Sequence, residues 1–340
     1  MINNKMEKKA YIYINYNNMV VLQSYLDVVK HALCKVGFDS IYTKSLDDVE
    51  KDALIVFPMG IDAFKYYFKG YHNFILWQQG ATADESFMRN HSKLRYWILN
   101  KMDLFAMKKA KAILYVSEYM RNYYENLGKC SFTEKSYLMP CFNEVYDKTV
   151  FNSKNYSKKV FTYVGSLDLW QCFEQTVDVY KGIEDRLQNC FFKVLTFDVE
   201  KGKKILEDKG VKNYSVKRVP KEEVKRELLE ANYGFIIRED SIVNRVATPT
   251  KFSSYLSSGV IPIFSKCLTD FTQVSSKMKY AMPLEDEVDV TSLIGFVNQE
   301  VIKDDITAEY ERLFSEYYSP EYHTKQLTLL FNKLGIGGKE

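Results

Sequence analysis

A chain of 340 residues, 46% hydrophobic and 27% charged, has an ordinary globular composition and the length of two domains. That composition excludes disorder and collagen-like repeats, and a net charge of +3 is too balanced for a protein that chiefly grips nucleic acid. Aromatic residues make up 15%, mostly 26 Tyr and 22 Phe, enough for large internal cores and a cleft able to stack rings.

Along the chain, short β-rich runs alternate with amphipathic stretches. Tyr11–Asn15 reads as a first strand and Val20–Val36 as a helix ended by Gly37. Ser40–Thr43 is a weak strand. Ala53–Phe57 is a buried one stopped by Pro58, and Phe74–Trp77 another, stopped by Gln78-Gln79-Gly80. Helix Lys93–Lys109, strand Ala112–Val116, helix Glu118–Leu127 and strand Ser136–Met139 follow. After the polar stretch Asp147–Lys159 the alternation restarts with strand Val160–Val164, helix Cys172–Arg186, strand Phe191–Leu195 and helix Lys201–Lys209. Strand Tyr214–Arg218, helix Lys221–Glu230, strand Tyr233–Ile237, helix Lys251–Ser257 and strand Ile261–Phe264 complete it, and Thr307–Leu334 is a helical tail broken at Pro320.

Strands alternating with helices imply parallel sheets covered on both faces. The fold class is therefore α/β, with two doubly wound domains facing each other across a cleft and a boundary near residue 150. In such sheets ligands bind at the carboxyl ends of strands, so the loops after those ends are the ones to interrogate.

Six cysteines (Cys34, Cys130, Cys141, Cys172, Cys190 and Cys267) form no C-x-x-C pair, and four histidines are scattered, so no metal site is expected. They read as reduced thiols of a cytoplasmic protein. The basic, polar N-terminus carries no export signal, and no apolar run approaches the roughly 20 residues of a membrane span. Charge is unevenly spread: residues 1–150 hold 20 Lys/Arg against 16 Asp/Glu, and Arg89–Lys111 holds seven against the single acid Asp103.

The most specific stretch is Tyr233–Phe264, YGFIIREDSIVNRVATPTKFSSYLSSGVIPIF. A buried strand ends in Arg238-Glu239-Asp240, a polar loop carries Asn244 and Arg245, and Thr248-Pro249-Thr250-Lys251 opens a helix. Thr248 or Thr250 suits the cap, and Pro249 the first turn. Free N–H groups there, with Lys251 and Arg238, would stabilise a diphosphate. The plain alternative is a capped helix beside a solvated charge cluster. Upstream, FTYVGSLDLWQ (161–171) places Gly165 and Ser166 after a strand, where backbone can approach phosphate closely. In the first half, WQQGATADESFMR (77–89) places Gly80, Asp84, Glu85 and Arg89 after a strand. There an acid could orient or deprotonate a hydroxyl, although acids also suit a helix first turn for its dipole alone. Arg89–Lys111 mixes its basic residues with Tyr96, Trp97, Ile98, Leu99, Leu104, Phe105 and Met107. Such a helix either meets an anionic membrane surface or packs its apolar face on the sheet. The acids Glu285, Asp286, Glu287 and Asp289 read as a solvated loop.

Taken together, 233–264 resembles the nucleotide-sugar site of GT-B glycosyltransferases, the family 4-like group of capsule and lipopolysaccharide synthesis. The matching residues are Arg238, Glu239, Pro249, Thr250, Lys251, Tyr255, Leu256, Gly259 and Pro262. Ser254 stands where that group usually has a ribose-binding Glu. In the loop after Gly165, Trp170-Gln171 replace the usual Arg and Lys, and Asn15–Met19 lacks the usual Gly-Gly.

The resemblance implies two Rossmann-like domains, 1–150 for the acceptor and 151–306 for the donor, with helices 307–340 crossing back to the first. It implies transfer of a sugar, with retention, from a nucleoside diphosphate sugar to a saccharide or lipid-linked acceptor in surface polysaccharide synthesis, a hexosyltransferase of class EC 2.4. Lys251, Arg238, Asp84 and Glu85 would carry the catalysis; Gly165, Ser166, Glu239, Asn244, Thr248, Thr250 and Ser254 would bind the donor, and Gly80 and Arg89 the acceptor. No cofactor, metal or nucleic acid is implied. The enzyme would act in the cytoplasm, at the inner face of the membrane, which 89–111 would touch. The rival expectation is a two-domain binding protein that holds a nucleotide sugar or saccharide without chemistry.

Overall fold

Two six-stranded, wholly parallel sheets organise the chain in this computed structural model, which describes residues 8–14 and 19–337. The first sheet contains β1 (Lys8–Tyr13), β2 (Phe38–Thr43), β3 (Leu54–Phe57), β4 (Phe74–Gln78), β5 (Ala112–Tyr115) and β6 (Ser136–Leu138) in the order β2-β1-β3-β4-β5-β6. The second contains β7 (Lys159–Val164), β8 (Cys190–Leu195), β9 (Tyr214–Lys217), β10 (Tyr233–Ile236), β11 (Ile261–Ser265) and β12 (Met282–Leu284) in the order β12-β11-β10-β7-β8-β9.

Every residue of β3, β4, β5, β10 and β11 is buried, which is why these strands read as continuous apolar runs rather than alternating ones. Helices cover both faces of each sheet, and their own apolar stripes complete the cores. On β10, Gly234 makes one of these contacts possible: a Cβ there would lie 2.5–2.8 Å from the Tyr255 ring of helix Lys251–Ser257.

Most elements lie within a few residues of the expected bounds, and helices Lys93–Lys109 and Lys251–Ser257 coincide with them. The first strand starts at Lys8, and the loop Asn15–Asn18, with its missing Gly-Gly, lies outside the described residues. Sequence reading passes over helices Gly60–Tyr67, Ile242–Arg245, Thr269–Ser275 and Val290–Val297, and gives no bounds for helix Thr82–Asn90 or for β12. These helices have nine residues or fewer, too few turns for an apolar period to register. At the edge of its sheet, β12 carries Pro283, which reads as a break although an edge strand tolerates it.

The chain divides into two compact units, 1–143 with 319–340, and Glu144–Tyr318. Helix Lys303–Glu316 thus stays with the second unit, and the return expected from 307 begins at Ser319. Helix Pro320–Lys333, capped by Ser319 with proline in its first turn, packs on helix Met19–Lys35 of the first unit.

In the second sheet β7, β8 and β9 extend one way, whereas β10, β11 and β12 extend the other, so β7 and β10 flank the point where strand order reverses. Loops leaving the carboxyl ends of two such strands part to opposite faces and open a crevice for ligand. Gly165 follows β7 and Arg238 follows β10. In the first sheet the equivalent pair is β1 and β3, with β4 alongside.

Candidate functional site

At the β7–β10 reversal, two cations converge on one oxygen. The Arg238 guanidinium donates through one terminal nitrogen to Gln171 Oε1 at 2.6 Å, and Lys251 Nζ donates to the same oxygen at 2.6 Å. The other terminal nitrogen of Arg238 donates to the backbone oxygens of Gln171 (2.9 Å) and Ile237 (2.7 Å). Arg238 is buried, and Lys251 is part-buried with its ammonium 4.4 Å from the centre of the Tyr163 ring.

Gly165 permits this seating. Its φ of +143° suits glycine, and a Cβ on it would sit 2.8 Å from both Cε and Nζ of Lys251. Burial pushes the Lys251 ammonium well below its ordinary pKa, and the neighbouring Arg238 charge pushes it further. Burial also lowers Arg238, which nevertheless keeps its charge. The site holds two basic groups around a neutral amide oxygen, and an anion entering there would favour the charged form of Lys251 and offset the charge of Arg238.

The remaining donor-side candidates take narrower roles. The Gly165 N–H donates to Leu195 O at 2.9 Å, so it belongs to the strand ladder and is not offered to a phosphate. The Ser166 hydroxyl donates to Asp168 at 2.6 Å. Thr250 precedes helix Lys251–Ser257 without a side-chain capping bond, contrary to the expected cap, and Thr248 is buried. That helix spans seven residues, so the two cationic side chains, rather than its dipole, supply most of the local field. Ser254 Oγ turns back onto its own helix and donates to Thr250 O at 3.2 Å. The Asn244 amide, also buried, donates to Glu239 O at 2.9 Å and shapes the loop.

Glu239 is exposed and accepts from Gln175 Nε2 at 2.6 Å. Two thiols grip its backbone: Cys172 Sγ accepts from its N–H at 3.3 Å, and Cys267 Sγ donates to its carbonyl at 3.6 Å. Asp240 pairs with Arg245 across the loop. The residue that sequence reasoning missed is Gln171. The available signal was its place, in the loop after Gly165 where basic residues were expected, but a neutral amide gives no charge pattern to follow.

The first unit brings a different set together after β4. Asp84 accepts from Tyr123 Oη at 2.7 Å, and Tyr123 Oη lies 3.3 Å from Tyr96 Oη. Asp103, on helix Lys93–Lys109, is fully buried and accepts from Tyr124 Oη at 3.1 Å and, at 3.5 Å, from Gln78 Nε2. Its Oδ1 has no hydrogen-bond partner among the described residues.

Burial raises all three carboxyls. Asp103 is raised to about 7 despite the opposing bonds from Tyr124 and Gln78. For Asp84 the Tyr123 bond opposes the rise, and for Glu85 the Arg89 charge does. Gly80 leaves room for the Glu85 carboxylate, which a Cβ there would strike. Sequence reading picked out Gly80, Asp84, Glu85 and Arg89 here. It recorded Asp103 only as the lone acid in a basic helix, because burial of that one turn is decided by packing partners far away in the chain.

Helix Lys93–Lys109 buries Leu99, Leu104, Ala106 and Met107, as expected of an element packed on the sheet. It leaves Leu94 (69% exposed), Trp97 (58%) and Ile98 (41%) in solvent, in line with Lys101. Among the described residues, no helix is long and apolar enough to cross a membrane. The acids 285–287 and Asp289 are exposed, and Asp289 caps helix Val290–Val297.

No family model matches the chain, and no curated protein does. Solved structures do. Anabaena HepE, in complex with UDP and glucose, aligns with a TM-score of 0.67 at 9% identity, over 96% of this chain and 100% of its own. WaaG, a glycosyltransferase involved in lipopolysaccharide biosynthesis, aligns at 0.64 and 9% identity, over 94% and 99%. Staphylococcus aureus TarM, solved with fondaparinux, α-GlcNAc-glycerol and UDP, aligns at 0.62 and 12% identity, over 84% of this chain. This chain spans 57% of that TarM chain. The two helix-covered parallel sheets match the two Rossmann-like domains of these proteins, and the fold is GT-B.

Proposed function

We propose that the chain is a glycosyltransferase that moves a sugar from a nucleoside diphosphate sugar to a saccharide acceptor. The observation that carries this reading is the convergence of Arg238 and Lys251 on a single oxygen at the strand-order reversal. Breaking the bond between an anomeric carbon and a diphosphate builds negative charge on the leaving oxygens. Two cations held beforehand in a part-buried site stabilise that charge without reorganising, the largest single contribution in many transferases. This device needs no metal ion or other cofactor.

Arg238 and Lys251 hold the diphosphate, and Glu239, exposed beside them, meets the donor sugar or its ribose. In the first unit Asp84 and Glu85 orient the acceptor hydroxyl, and their raised affinity for protons suits them to accept one. Arg89 completes that side, and Gly80 gives the Glu85 carboxylate its room. HepE and TarM were both solved with UDP, which supports a UDP-sugar as the first donor to try.

The finer reading is a retaining hexosyltransferase of surface polysaccharide synthesis, acting in the cytoplasm on a lipid-linked acceptor. The exposed Leu94, Trp97 and Ile98, with Lys101 near the Trp97 ring at 5.7 Å, support contact with an anionic membrane surface. Incubation with a panel of UDP- and GDP-sugars, followed by assay of released UDP or GDP, tests the central claim. Release dependent on a saccharide acceptor is the expected result. Nucleotide-sugar binding without release under any acceptor would leave a binding protein, and no binding at all would end the reading.

A further inference from the structure

The oxygen that bridges the two cations belongs to the protein, which deepens the donor-site reading above and rests on it. Gln171 Oε1 sits where a phosphate oxygen would have to sit to be held by both Arg238 and Lys251. Both places cannot be filled at once.

Neither cation depends on that amide for its position. Arg238 is pinned through its other nitrogen by the backbone oxygens of Gln171 and Ile237. Lys251 rests over the Tyr163 ring and against Gly165. Removing the side-chain oxygen would therefore leave the cations aimed at the same point. Gln171 ends a short turn, Leu169–Gln171, and the next residue, Cys172, has a left-handed φ of +47°. Rotation of one side chain clears the site while the turn stays in place.

The amide is neutral. It satisfies both donors, yet it brings no negative charge to them. A diphosphate carries several negative charges and more than replaces the two hydrogen bonds lost with the amide. We propose that Gln171 is a displaceable placeholder for the donor diphosphate, ejected when the donor arrives, so that a ligand enters between the cations only if its contacts with them exceed those of the amide.

Titration calorimetry with UDP and UMP on the full chain tests this, using wild type, Gln171→Ala and Gln171→Glu, each checked by thermal unfolding. Gln171→Met, of similar length but without the amide oxygen, replaces the alanine variant should that one fail to fold. Removing the placeholder should tighten UDP binding by about five- to tenfold, as expected for releasing a competing hydrogen-bonded group. UMP should gain no more than UDP does, because removing the amide relieves a ligand at most of the cost of displacing it. Gln171→Glu places a carboxylate between the cations and should weaken UDP binding by at least about a hundredfold.

UDP binding that is unchanged or weaker in both the alanine and the methionine variants would overturn the inference, since Gln171 would then be inert or a ligand. Unchanged binding in Gln171→Glu would overturn it as well. If neither wild type nor the alanine variant binds UDP, GDP or their sugars, the donor-site reading itself fails and this inference falls with it. Binding by the alanine variant alone would be its strongest support.

Discussion

The two units share one architecture and place opposite charge at their strand ends. After β4, the first unit gathers Asp84, Glu85 and Asp103 among Tyr96, Tyr123 and Tyr124, and burial makes each acid hold its proton more tightly. After β7 and β10, the second unit gathers Arg238 and Lys251, and burial makes Lys251 hold its proton less tightly. Desolvation is the common cause, and it drives each set toward neutrality. A polyanion suits the cations, and a hydroxyl-rich neutral molecule suits the acids. The difference teaches that a parallel sheet supplies the location, while the chemistry lies in which side chains its loops bring there.

The sharpest way to break this comparison is to remove one cation. Lys251→Ala should cut sugar transfer by on the order of a hundredfold, as loss of a pre-aimed donor to developing charge does. The check is the rate of UDP or GDP release at saturating donor. Unchanged turnover would mean that the cation pair serves only the fold.

The acid side offers the next largest effect, in stability. Asp103 is raised to about 7 in the folded state, against about 4 when unfolded. Between these values the folded chain binds the extra proton, so stability falls as pH rises from about 4 through 7. Asp103→Asn keeps an acceptor for Tyr124 and removes the titration. At pH 8 it should be the more stable protein by about 1–3 kcal/mol, with the gap closing toward about pH 4. Melting temperature against pH for both proteins checks it; parallel curves would place the proton elsewhere.

Much of the fold was legible in the sequence. Continuous apolar runs such as Leu54–Phe57 and Tyr233–Ile236 announce strands buried on both faces, and their alternation with helices leaves few topologies. Arg238 and Lys251 were legible too, because charge at the end of an apolar strand stands out. What escaped notice depends on three dimensions. Gln171 gains meaning only through the two cations that reach it, one of them 80 residues away. The Gly165 N–H seemed available to phosphate because pairing of β7 with β8 cannot be read locally. Asp103 lies in a basic helix, and its burial is set by Gln78 and Tyr124, 25 and 21 residues distant.

A third effect sharpens the contrast through protons. Lys251 is less readily protonated without ligand, and an anion beside it restores the ammonium. UDP binding should therefore take up protons and should weaken as pH rises. Calorimetry in buffers of different ionisation enthalpy measures the uptake. Proton release would contradict the direction assigned to Lys251.

The smallest effect concerns surface rather than strand ends, and it again separates the units. Helix Lys93–Lys109 of the first unit leaves Trp97 and its neighbours Leu94 and Ile98 in water, although its opposite face is packed. Exposed apolar groups near Lys93, Arg95 and Lys101 gain from an anionic interface twice, by burial and by attraction. Trp97 contributes through its ring, which favours the headgroup level. Trp97→Ala should weaken binding of the full chain to vesicles containing anionic lipid by about three- to tenfold, with UDP affinity unchanged, because Trp97 lies in the other unit from the cations. Co-sedimentation with and without anionic lipid measures the first quantity and calorimetry the second. Equal sedimentation of both proteins would assign the exposed face to some other contact.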